Sequence, residues 1–438
     1  MALSRRDLLK FGAVLAASNL FASPENGVKS RTTATHKKEK AKVVIVGGGW
    51  SGLSVAKHLK RLRPDLKVTL IEKRSHFISC PLSNLWLVGV LDLEFLVHDY
   101  LQAASNNGYE FVNATVYDID RKVKKVKTTH GEFDYDFLVL APGIDYDYSE
   151  LTGGDRELES ILKRDYPAGF IPGSEHLSIK RKLEEFEGGN FLLTVPGGNY
   201  RCLPAPYERA ALMAWYFKNE GIKAKVVLVD ENPAITIKAK GFGSAFEELY
   251  KEYIEYLPGS KIVSVDPSKK RISTDMGDEI EFSDAAIYPK IRGAKLLEIA
   301  GVAKDSPFNK MEADIDPFTY RTKIDPYIFC SGDARPMGFS KSGNTANSEG
   351  EIVAQSLIAA IDGKEFNWRA PLTVCYSAVS AEPVRAISVN ASYAYDSKNK
   401  TFVFKDASTM EEWRGKKGLI AGKAMMEWAK GMYRDMFM

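Results

Sequence analysis

The sequence predicts an α/β fold in which two Rossmann-like domains are followed by a smaller C-terminal α+β domain. Two strand–helix–strand patterns carry this prediction, one starting near residue 42 and the other near residue 190. The chain has 438 residues, of which 45% are hydrophobic and 27% charged, as in globular proteins of two or three domains. This composition excludes disordered, fibrous and small disulfide-stapled proteins.

The charge balance argues against a nucleic-acid partner. The chain has 60 Lys and Arg against 57 Asp and Glu, a net charge of +3, and its only dense basic run is the short segment 36–40. Nucleic-acid binding requires a concentrated basic surface. We therefore expect partners to be recognised at specific sites.

Residues 1–24 predict a twin-arginine signal peptide. Arg5 and Arg6 precede a short apolar stretch over 11–22, which is shorter than the roughly 20 residues that span a bilayer. An ordinary amphipathic helix is the alternative interpretation. Residues 25–41 are polar and predict a flexible leader. A twin-arginine signal would export the protein, already folded around a cofactor, to the periplasm.

A complete nucleotide-binding pattern opens the folded part. An apolar strand over 42–46 leads into GxGxxG at 47–52, a helix ending before Pro64, and a second strand ending at Glu72. Gly47 permits the tight turn, Gly49 admits a pyrophosphate, Gly52 allows close packing, and Glu72 accepts a ribose hydroxyl. We therefore predict dinucleotide binding here. The same segment supplies three further candidates for contact with the cofactor: Trp50, Ser51 and Lys73.

Two later motifs indicate that the dinucleotide is FAD. The apolar strand 137–140 ends in Ala141, Pro142 and Gly143, which resembles the second fingerprint of two-dinucleotide flavoproteins. Gly332 and Asp333 follow another strand and resemble the third fingerprint, which delivers an Asp to the ribityl chain of the flavin. The three motifs occur in the order expected for such flavoproteins.

The second α/β unit departs from the nucleotide-binding pattern. Its strands lie over 190–195 and 225–229 with a helix over 206–218, but the connecting loop 196–206 contains three prolines. Proline lacks the N–H groups that cradle phosphate, so we infer a degenerate site that does not use NAD(P)H. The loop instead carries Cys202, with Glu208 six residues later.

The remaining cysteines and histidines argue against metal chemistry. The four cysteines, Cys80, Cys202, Cys330 and Cys375, form neither CxxC nor CxxCH, so no zinc ribbon or covalently attached haem is expected. All six histidines precede residue 177 and none lies in HExxH. We predict no metal site.

Four segments resemble the flavoprotein subunit of flavocytochrome c sulfide dehydrogenase, a family with a glutathione reductase-like fold. They are 77–84, 200–210, 341–348 and 373–377, and the resemblance extends from about residue 42 to the C-terminus. It implies that Cys202 and Cys375 form a redox disulfide beside the flavin and that Cys80 binds FAD covalently through a thioether. It also assigns cofactor-binding or catalytic positions to Asn84, Glu208, Ser342, Asn344, Ala346 and Trp428.

Two residues depart from the family pattern, and alternatives stay open for each cysteine. Pro81 replaces an aromatic residue, and Cys330 replaces an aliphatic one and is predicted to be a buried strand thiol. Cys202 and Cys375 could form a structural disulfide. The sequence around Cys80 also resembles the redox cysteine of NADH oxidases and coenzyme A disulfide reductases.

The resemblance implies oxidation of sulfide to sulfur or polysulfide by thiol–disulfide exchange, with electrons passing through FAD to a c-type cytochrome subunit. The alternatives are a sulfide:quinone oxidoreductase at the membrane surface and a non-catalytic flavin electron carrier. The quinone alternative rests on a C-terminal stripe of Met425, Trp428, Met432 and Met436, which we interpret as core packing in preference to membrane contact.

For the domains we expect a discontinuous FAD-binding domain over 42–150 and 300–365, enclosing a second α/β domain over 151–299. A C-terminal interface domain then covers 366–438. Within it, alternation over 386–395 and a strand over 401–404 predict a hairpin, and 409–437 predicts a helix.

Overall fold

The computed structural model describes residues 40–438, so the predicted signal peptide and most of the predicted leader lie outside the described residues. The first part of the chain forms β1 (Lys42–Val46), α1 (Trp50–Leu62), β2 (Lys67–Glu72), β3 (His76–Ile78), α2 (Ser83–Leu87), β4 (Val97–Asp99), α3 (Tyr100–Asn107), β5 (Glu110–Asn113), β6 (Val116–Asp120), β7 (Lys125–Thr128), β8 (Gly131–Asp134), β9 (Phe137–Leu140), β10 (Ile144–Asp147) and α4 (Ser149–Thr152).

The middle part forms α5 (Arg156–Asp165), α6 (Ser174–Glu184), β11 (Gly189–Val195), α7 (Ala205–Asn219), β12 (Ala224–Asp230), α8 (Ala239–Leu249), β13 (Ile254–Pro258), β14 (Ile262–Asp266), β15 (Arg271–Thr274), β16 (Glu279–Glu281), β17 (Asp284–Ala286) and β18 (Lys290–Gly293). The last part forms α9 (Lys295–Ile299), β19 (Ala303–Lys304), β20 (Glu312–Ala313), β21 (Ile328–Cys330), α10 (Gly343–Asp362), β22 (Leu372–Ala381), β23 (Val384–Asp396), β24 (Thr401–Met410) and α11 (Gly415–Phe437).

The first sheet is parallel, with strand order β21-β9-β1-β2-β5. Its central strands are apolar and buried because helices cover a parallel sheet on both faces. The strand β21 joins the sheet only after an excursion of almost 190 residues from β9, and α10 then packs against α1. The Rossmann-like unit is therefore discontinuous along the chain.

The second sheet is also parallel, with strand order β13-β12-β11-β17 and α7 packed against it. Two passages connect it to the first sheet, and they lie side by side as the antiparallel pair β10 and β18. In this pair Ile144 is opposite Gly293. The chain therefore crosses between the two sheets at 144–147 and again at 290–293.

The C-terminal part is an antiparallel sheet, β22-β23-β24, with α11 packed against β23. The predicted hairpin is present, but the helix predicted over 409–437 begins at Gly415. That expectation was wrong at its start because β24 continues to Met410, which pairs with Ser388.

The methionine stripe of α11 packs inward. Met425 and Met436 are buried, and Trp428 and Met432 are half-buried. Within residues 40–438, no helix has the length and hydropathy needed to cross a bilayer. The interpretation of this stripe as core packing agrees with the structure.

Candidate active site

One cavity of about 390 Å³ lies where the first sheet, the second sheet and the C-terminal sheet converge. It is lined by 20 of the 21 predicted site residues, and Gly52 is the exception. The lining set is Gly47, Gly49, Trp50, Ser51, Glu72, Lys73, Cys80, Asn84, Ala141, Pro142, Gly143, Cys202, Glu208, Gly332, Asp333, Ser342, Asn344, Ala346, Cys375 and Trp428.

The glycines at the start of α1 shape one end of this cavity. A Cβ on Gly47 would lie 2.3 Å from the carbonyl oxygen of Ala141, and one on Gly52 would lie 1.8 Å from that of Gly47. A Cβ on Gly49 would meet nothing within 4 Å. Gly47 and Gly52 therefore permit close packing, and Gly49 leaves the uncapped N-terminus of α1 open to an anionic group.

Glu72 is held beside this helix N-terminus by main-chain groups. Its Oε2 accepts a hydrogen bond from the Gly48 N–H at 2.8 Å, and its Oε1 accepts one from the Arg74 N–H at 3.0 Å. The carboxylate is almost buried and lines the cavity. It is therefore oriented to accept a further hydrogen bond, such as one from a ribose hydroxyl.

Asp333 presents an unpartnered acceptor at the cavity. Arg201 Nε donates to Asp333 Oδ2 at 2.6 Å, and Arg201 Nη1 donates to the Phe170 carbonyl at 2.8 Å. The other oxygen, Asp333 Oδ1, is buried without a hydrogen-bond partner. Because a buried acceptor is costly to leave unpaired, this atom fits a cofactor that brings a hydroxyl, as the ribityl chain of FAD does.

The N-terminus of α10 forms another wall. Ser342 Oγ caps the helix by accepting from the Thr345 N–H at 3.3 Å. Asn344 Oδ1 accepts from the Val374 N–H at 2.8 Å, which ties α10 to β22 next to Cys375. A polar helix end and a cysteine-bearing strand therefore face the same space.

Cys202 and Cys375 both line the cavity from different parts of the chain. Cys202 follows β11, has a positive φ of 58°, and donates its N–H to the Lys341 carbonyl at 2.8 Å, whereas Cys375 lies on β22. Burial, then the charge of Cys375 and that of Glu208, raise the pKa of Cys202. The two cysteines are thus close enough to interact electrostatically.

The implied disulfide is not formed in this structure. Cys80, Cys202, Cys330 and Cys375 are all unbonded at sulfur, although Cys202 and Cys375 line the same cavity. A disulfide requires the two Cβ atoms to lie about 3.8 Å apart, and a resemblance in sequence does not establish that distance. The pairing therefore remains a proposal.

Glu208 is fixed next to this pair. Its Oε1 accepts from the Ala378 N–H at 2.6 Å, and its Oε2 accepts from Asn84 Nδ2 at 2.9 Å. Burial raises the pKa of Glu208, although these hydrogen bonds and the nearby Lys238 oppose the shift. The carboxyl group is suited to hold a proton beside the thiols. Asn84 thus helps to hold Glu208 in place, and its own Oδ1 accepts a hydrogen bond from Arg209 Nε at 3.1 Å.

The other two cysteines differ in position. Cys80 lines the cavity and its thiol lies 3.8 Å from the Phe170 carbonyl oxygen. Burial raises the pKa of Cys80 to about 11, with Arg201 opposing the shift. Cys330 is fully buried at the end of β21, which confirms the prediction of a buried strand thiol.

Trp428 lines the cavity from α11. Its ring centroid lies 6.1 Å from that of Tyr376, and its Nε1 is buried without a hydrogen-bond partner. Tyr376 follows Cys375 on β22, so these two aromatic rings lie on the cysteine side of the cavity.

Sequence reasoning predicted Lys73 but missed three other cationic residues of the site. Arg201 pairs with Asp333, Arg209 donates to the carbonyls of Ala168 and Gly169, and buried Lys341 pairs with Glu312 at 2.7 Å. Arg201, Arg209 and Lys341 lie in segments that carry the family resemblance, which was the only available signal. Their partners are 29 to 132 residues away in sequence and become apparent only in the fold.

The second α/β domain leaves little space where its own nucleotide would bind. The cavity at the ends of β11 and β12 measures about 30 Å³, roughly the volume of one water molecule. The Gly197 N–H donates to Glu231 Oε2 at 2.9 Å, and α7 begins only at Ala205 with Pro206 in its first turn. The loop that would cradle phosphate therefore carries Cys202 to the larger cavity.

Three family models match the chain. They are the pyridine nucleotide-disulphide oxidoreductase model over residues 41–164, the central model of the flavoprotein chain of sulfide dehydrogenase (flavocytochrome c) over 177–289, and the flavin-binding model of flavocytochrome c sulphide dehydrogenase over 370–437. Together these models cover more than half of the chain.

The chain is also similar to curated proteins. It is 23% identical over 334 residues to the mitochondrial sulfide:quinone oxidoreductase of Mus musculus, covering 73% of this chain and 71% of that protein. It is 26% identical to the sulfide-quinone reductase of Aquifex aeolicus, covering 61% and 63%. It is 24% identical to a type II NADH:quinone oxidoreductase of Staphylococcus haemolyticus, covering 77% and 88%.

Solved structures share the fold. The sulfide:quinone oxidoreductase of Aquifex aeolicus superposes with a TM-score of 0.70 at 19% identity and covers 91% of both chains. The putidaredoxin reductase–putidaredoxin complex gives 0.61 at 17% identity and covers 88% of this chain and 93% of that one. These likenesses confirm the α/β fold with Rossmann-like FAD-binding architecture.

Proposed function

The chain belongs to the flavocytochrome c sulfide dehydrogenase flavoproteins, FAD-binding sulfide oxidoreductases of the pyridine nucleotide-disulphide oxidoreductase class, and we propose that it oxidises hydrosulfide through Cys202 and Cys375. The observation that carries this proposal is that both thiols and the Glu208 carboxyl line the cavity that also contains the glycine loop and Asp333. A thiol pair and a flavin site thus share one space.

In the proposed reaction the oxidised enzyme contains a Cys202–Cys375 disulfide. Hydrosulfide attacks one sulfur, the S–S bond breaks, and the products are a persulfide on one cysteine and a thiolate on the other. Bound FAD supplies the two-electron acceptor that can then release electrons singly. A second hydrosulfide then takes the outer sulfur of the persulfide as polysulfide and leaves a second cysteine thiolate, while Glu208 holds a proton beside the sulfurs. The two thiolates re-form the disulfide as they give up two electrons, so one sulfide sulfur reaches the zero-valent level in each turnover.

The remaining residues bind and orient the cofactor. The α1 N-terminus with Gly47 and Gly49 would hold the pyrophosphate, Glu72 the ribose, and Asp333 the ribityl chain. The aromatic rings of Trp428 and Tyr376 cover the cysteine side of the cavity and help to exclude water. We also propose that Cys80 attaches FAD covalently and that the protein works in the periplasm.

For the electron acceptor we propose a c-type cytochrome, because two of the matching family models describe flavocytochrome c chains and the α11 stripe packs inward. A quinone is the second candidate, and the observation favouring it is that the curated relatives named above act on quinones. These two candidate acceptors can be compared directly on the same enzyme.

Anaerobic stopped-flow reduction tests the sulfide reaction. Sulfide should bleach the flavin of the wild type, and Cys202→Ser or Cys375→Ser should slow this bleaching at least about 100-fold, since a hydroxyl cannot replace a disulfide sulfur. Cys330→Ala, which removes a thiol outside the cavity, is the matched control and should retain rapid bleaching. Dithionite should reduce the flavin of all four proteins.

One outcome would contradict the proposed sulfide reaction, and another would contradict the inference about NAD(P)H. A purely structural disulfide would make both serine variants less stable by about 2–5 kcal/mol while fast reduction persisted in the folded fraction. Flavin bleaching by NADH at micromolar affinity would contradict the inference that the second domain does not use NAD(P)H. Adding cytochrome c or a soluble quinone to the sulfide-reduced enzyme then identifies the acceptor from the rate of flavin reoxidation.

A further inference from the structure

Lys238 is a buried lysine that none of the assigned roles uses. It is 3% exposed and lies immediately before α8, where its backbone is left-handed with a φ of 56°. A lysine is rarely buried, and a side chain with a Cβ adopts this backbone conformation only at a cost. Both features indicate that the position of this side chain is constrained by its surroundings.

The ammonium group of Lys238 contacts a sulfur of the proposed redox pair. Its Nζ donates to Ser377 Oγ at 2.7 Å and lies 3.6 Å from Cys375 Sγ, within hydrogen-bond distance of sulfur. Lys238 does not itself line the cavity, whereas Cys375 does. The lysine therefore contacts the sulfur from the protein interior and would not obstruct hydrosulfide or the flavin.

The charge of Lys238 has no carboxylate partner in contact. Over residues 40–438, no Asp or Glu oxygen lies within 4 Å of its Nζ. A desolvated ammonium without an anion is costly. Its neutral contacts, which are the Ser377 hydroxyl, the Cys375 thiol and the Phe242 ring 5.9 Å away, compensate for this cost only in part. The formation of an anionic sulfur on Cys375 would provide the missing counter-charge.

The positive charge of Lys238 also acts on Cys202 and Glu208. Lys238 opposes the effect of burial on the pKa of Cys202 and on that of Glu208. It therefore favours the anionic forms of Cys202 and Glu208. A cation in a site of low dielectric constant also attracts hydrosulfide, which is an anion.

We propose that Lys238 is a catalytic residue that stabilises the anionic sulfur formed on Cys375 when the disulfide is opened. This inference rests on the proposed function. Hydrosulfide forms a bond to one sulfur as the Cys202–Cys375 bond breaks, and the electron pair of that bond stays on the other sulfur. When hydrosulfide attacks Cys202, this pair stays on Cys375 Sγ, and the Lys238 ammonium donates a hydrogen bond to that thiolate.

The test compares Lys238→Met, which removes the charge and retains the length of the side chain, with wild type and with Lys180→Met. Lys180 is a partly buried lysine that donates to the carbonyls of Trp86 and Leu87 and contacts no sulfur. Lys238→Met should slow sulfide-driven flavin bleaching about 10-fold to 100-fold, whereas Lys180→Met should leave it unchanged. Dithionite reduction and FAD content should be the same in all three proteins.

A second measurement separates charge stabilisation from a structural role. After reduction by a phosphine, iodoacetamide should alkylate Cys375 of the wild type faster than Cys202, and Lys238→Met should lose this preference. Lys238→Gln and Lys238→Arg extend the comparison if Lys238→Met does not fold, because Gln should behave as Met and Arg should retain part of the rate. Wild-type alkylation needs no variant at all.

The outcomes are distinguishable from failure of the proposed function. If sulfide does not bleach the wild type, the proposed function is wrong. If sulfide bleaches the wild type and all Lys238 variants equally, or if wild-type Cys375 is alkylated no faster than Cys202, the proposed role of Lys238 is wrong and the sulfide reaction stands.

Discussion

Cys80 combines a cavity position with a thiol that burial keeps protonated at neutral pH, since its pKa is raised to about 11. Such a thiol reacts slowly with external reagents, yet it lies within the space where a flavin would bind. This position fits covalent attachment to FAD, and acid precipitation separates that role from the alternative of an exchanging redox cysteine.

We predict that FAD stays on the protein after acid precipitation. Cys80→Ser should release the flavin into the supernatant, whereas Cys330→Ser should not, because Cys330 does not line the cavity. The measurement is the flavin absorbance of pellet and supernatant. Release of all flavin from the wild type would show that Cys80 forms no thioether.

The buried side chain of His176 makes the unfolding free energy depend on pH. It is 4% exposed on α6, both ring nitrogens lack hydrogen-bond partners, and burial with the nearby Arg209 lowers its pKa from 6.5 to about 3. The folded state therefore holds a neutral imidazole, while the unfolded state binds a proton below pH 6.5. This group's contribution to stability is complete above pH 6.5 and is lost as the pH falls toward 3.

We expect His176 to lower the unfolding free energy by about 1.4 kcal/mol for each unit by which the pH falls from 6.5 toward 3. His176→Leu should make the unfolding free energy less dependent on pH between 6.5 and 4, measured by urea denaturation at several pH values. His130→Leu, at an exposed histidine, is the control. An unchanged pH dependence in His176→Leu would contradict the predicted neutral state.

At the scale of elements, the helices α1 and α10 cross where only glycine fits. A Cβ on Gly350 of α10 would lie 2.5 Å from Ser54 Cβ and 2.8 Å from the Ser51 carbonyl oxygen. Ser51 lines the cavity and its Oγ lies 2.5 Å from Ser331 Oγ. The closeness of this crossing thus sets the position of the α1 N-terminus relative to the cofactor site.

We predict that Gly350→Ala destabilises the protein by about 1–3 kcal/mol through overpacking and also weakens flavin retention. Gly431→Ala on α11 is the matched control, since its Cβ would meet nothing within 4 Å, and alanine should stabilise that helix by about 0.5–1 kcal/mol. Melting temperature and FAD content measure both effects. Equal melting temperatures for the two variants would refute the packing argument.

Element boundaries show where local sequence is informative. The strands β1, β2, β9, β11 and β12 agree with the predicted segments to within one or two residues, because each is a buried apolar run flanked by Gly or polar residues. The start of α11 was misplaced because Thr409 and Met410 suit either a strand or a helix. Pairing with β23, which is a tertiary contact, decides between them.

At the scale of the whole molecule, export remains a proposal, since residues 1–39 lie outside the described part of the chain. We predict that changing Arg5 and Arg6 together to Lys leaves the protein, with bound FAD, in the cytoplasm of its natural host. The wild type should be found in the periplasmic fraction, and immunoblots of the fractions measure the difference. Equal periplasmic amounts would contradict export by the twin-arginine route.

The sequence by itself determined the fold class, FAD as cofactor and the family, and 20 of the 21 site residues that it predicted line the cavity. It did not predict Arg201, Arg209 or Lys341. Glycine spacing, apolar strands and the acidic residue after β2 are local features, so they could be identified without a structure. The family resemblance added Cys80, Cys202 and Cys375, which are separated by more than 100 residues.

Only the tertiary structure brought those cysteines into one cavity and showed their charged neighbours. The pairs Arg201–Asp333 and Lys238–Cys375 join residues more than 130 positions apart, and no sequence period links them. Burial then decides their chemistry. On the surface water weakens the interactions of a charged side chain, whereas in an interior of low dielectric constant the same interactions are strong. Burial is a property of the packed molecule, and so these contacts depend on the fold.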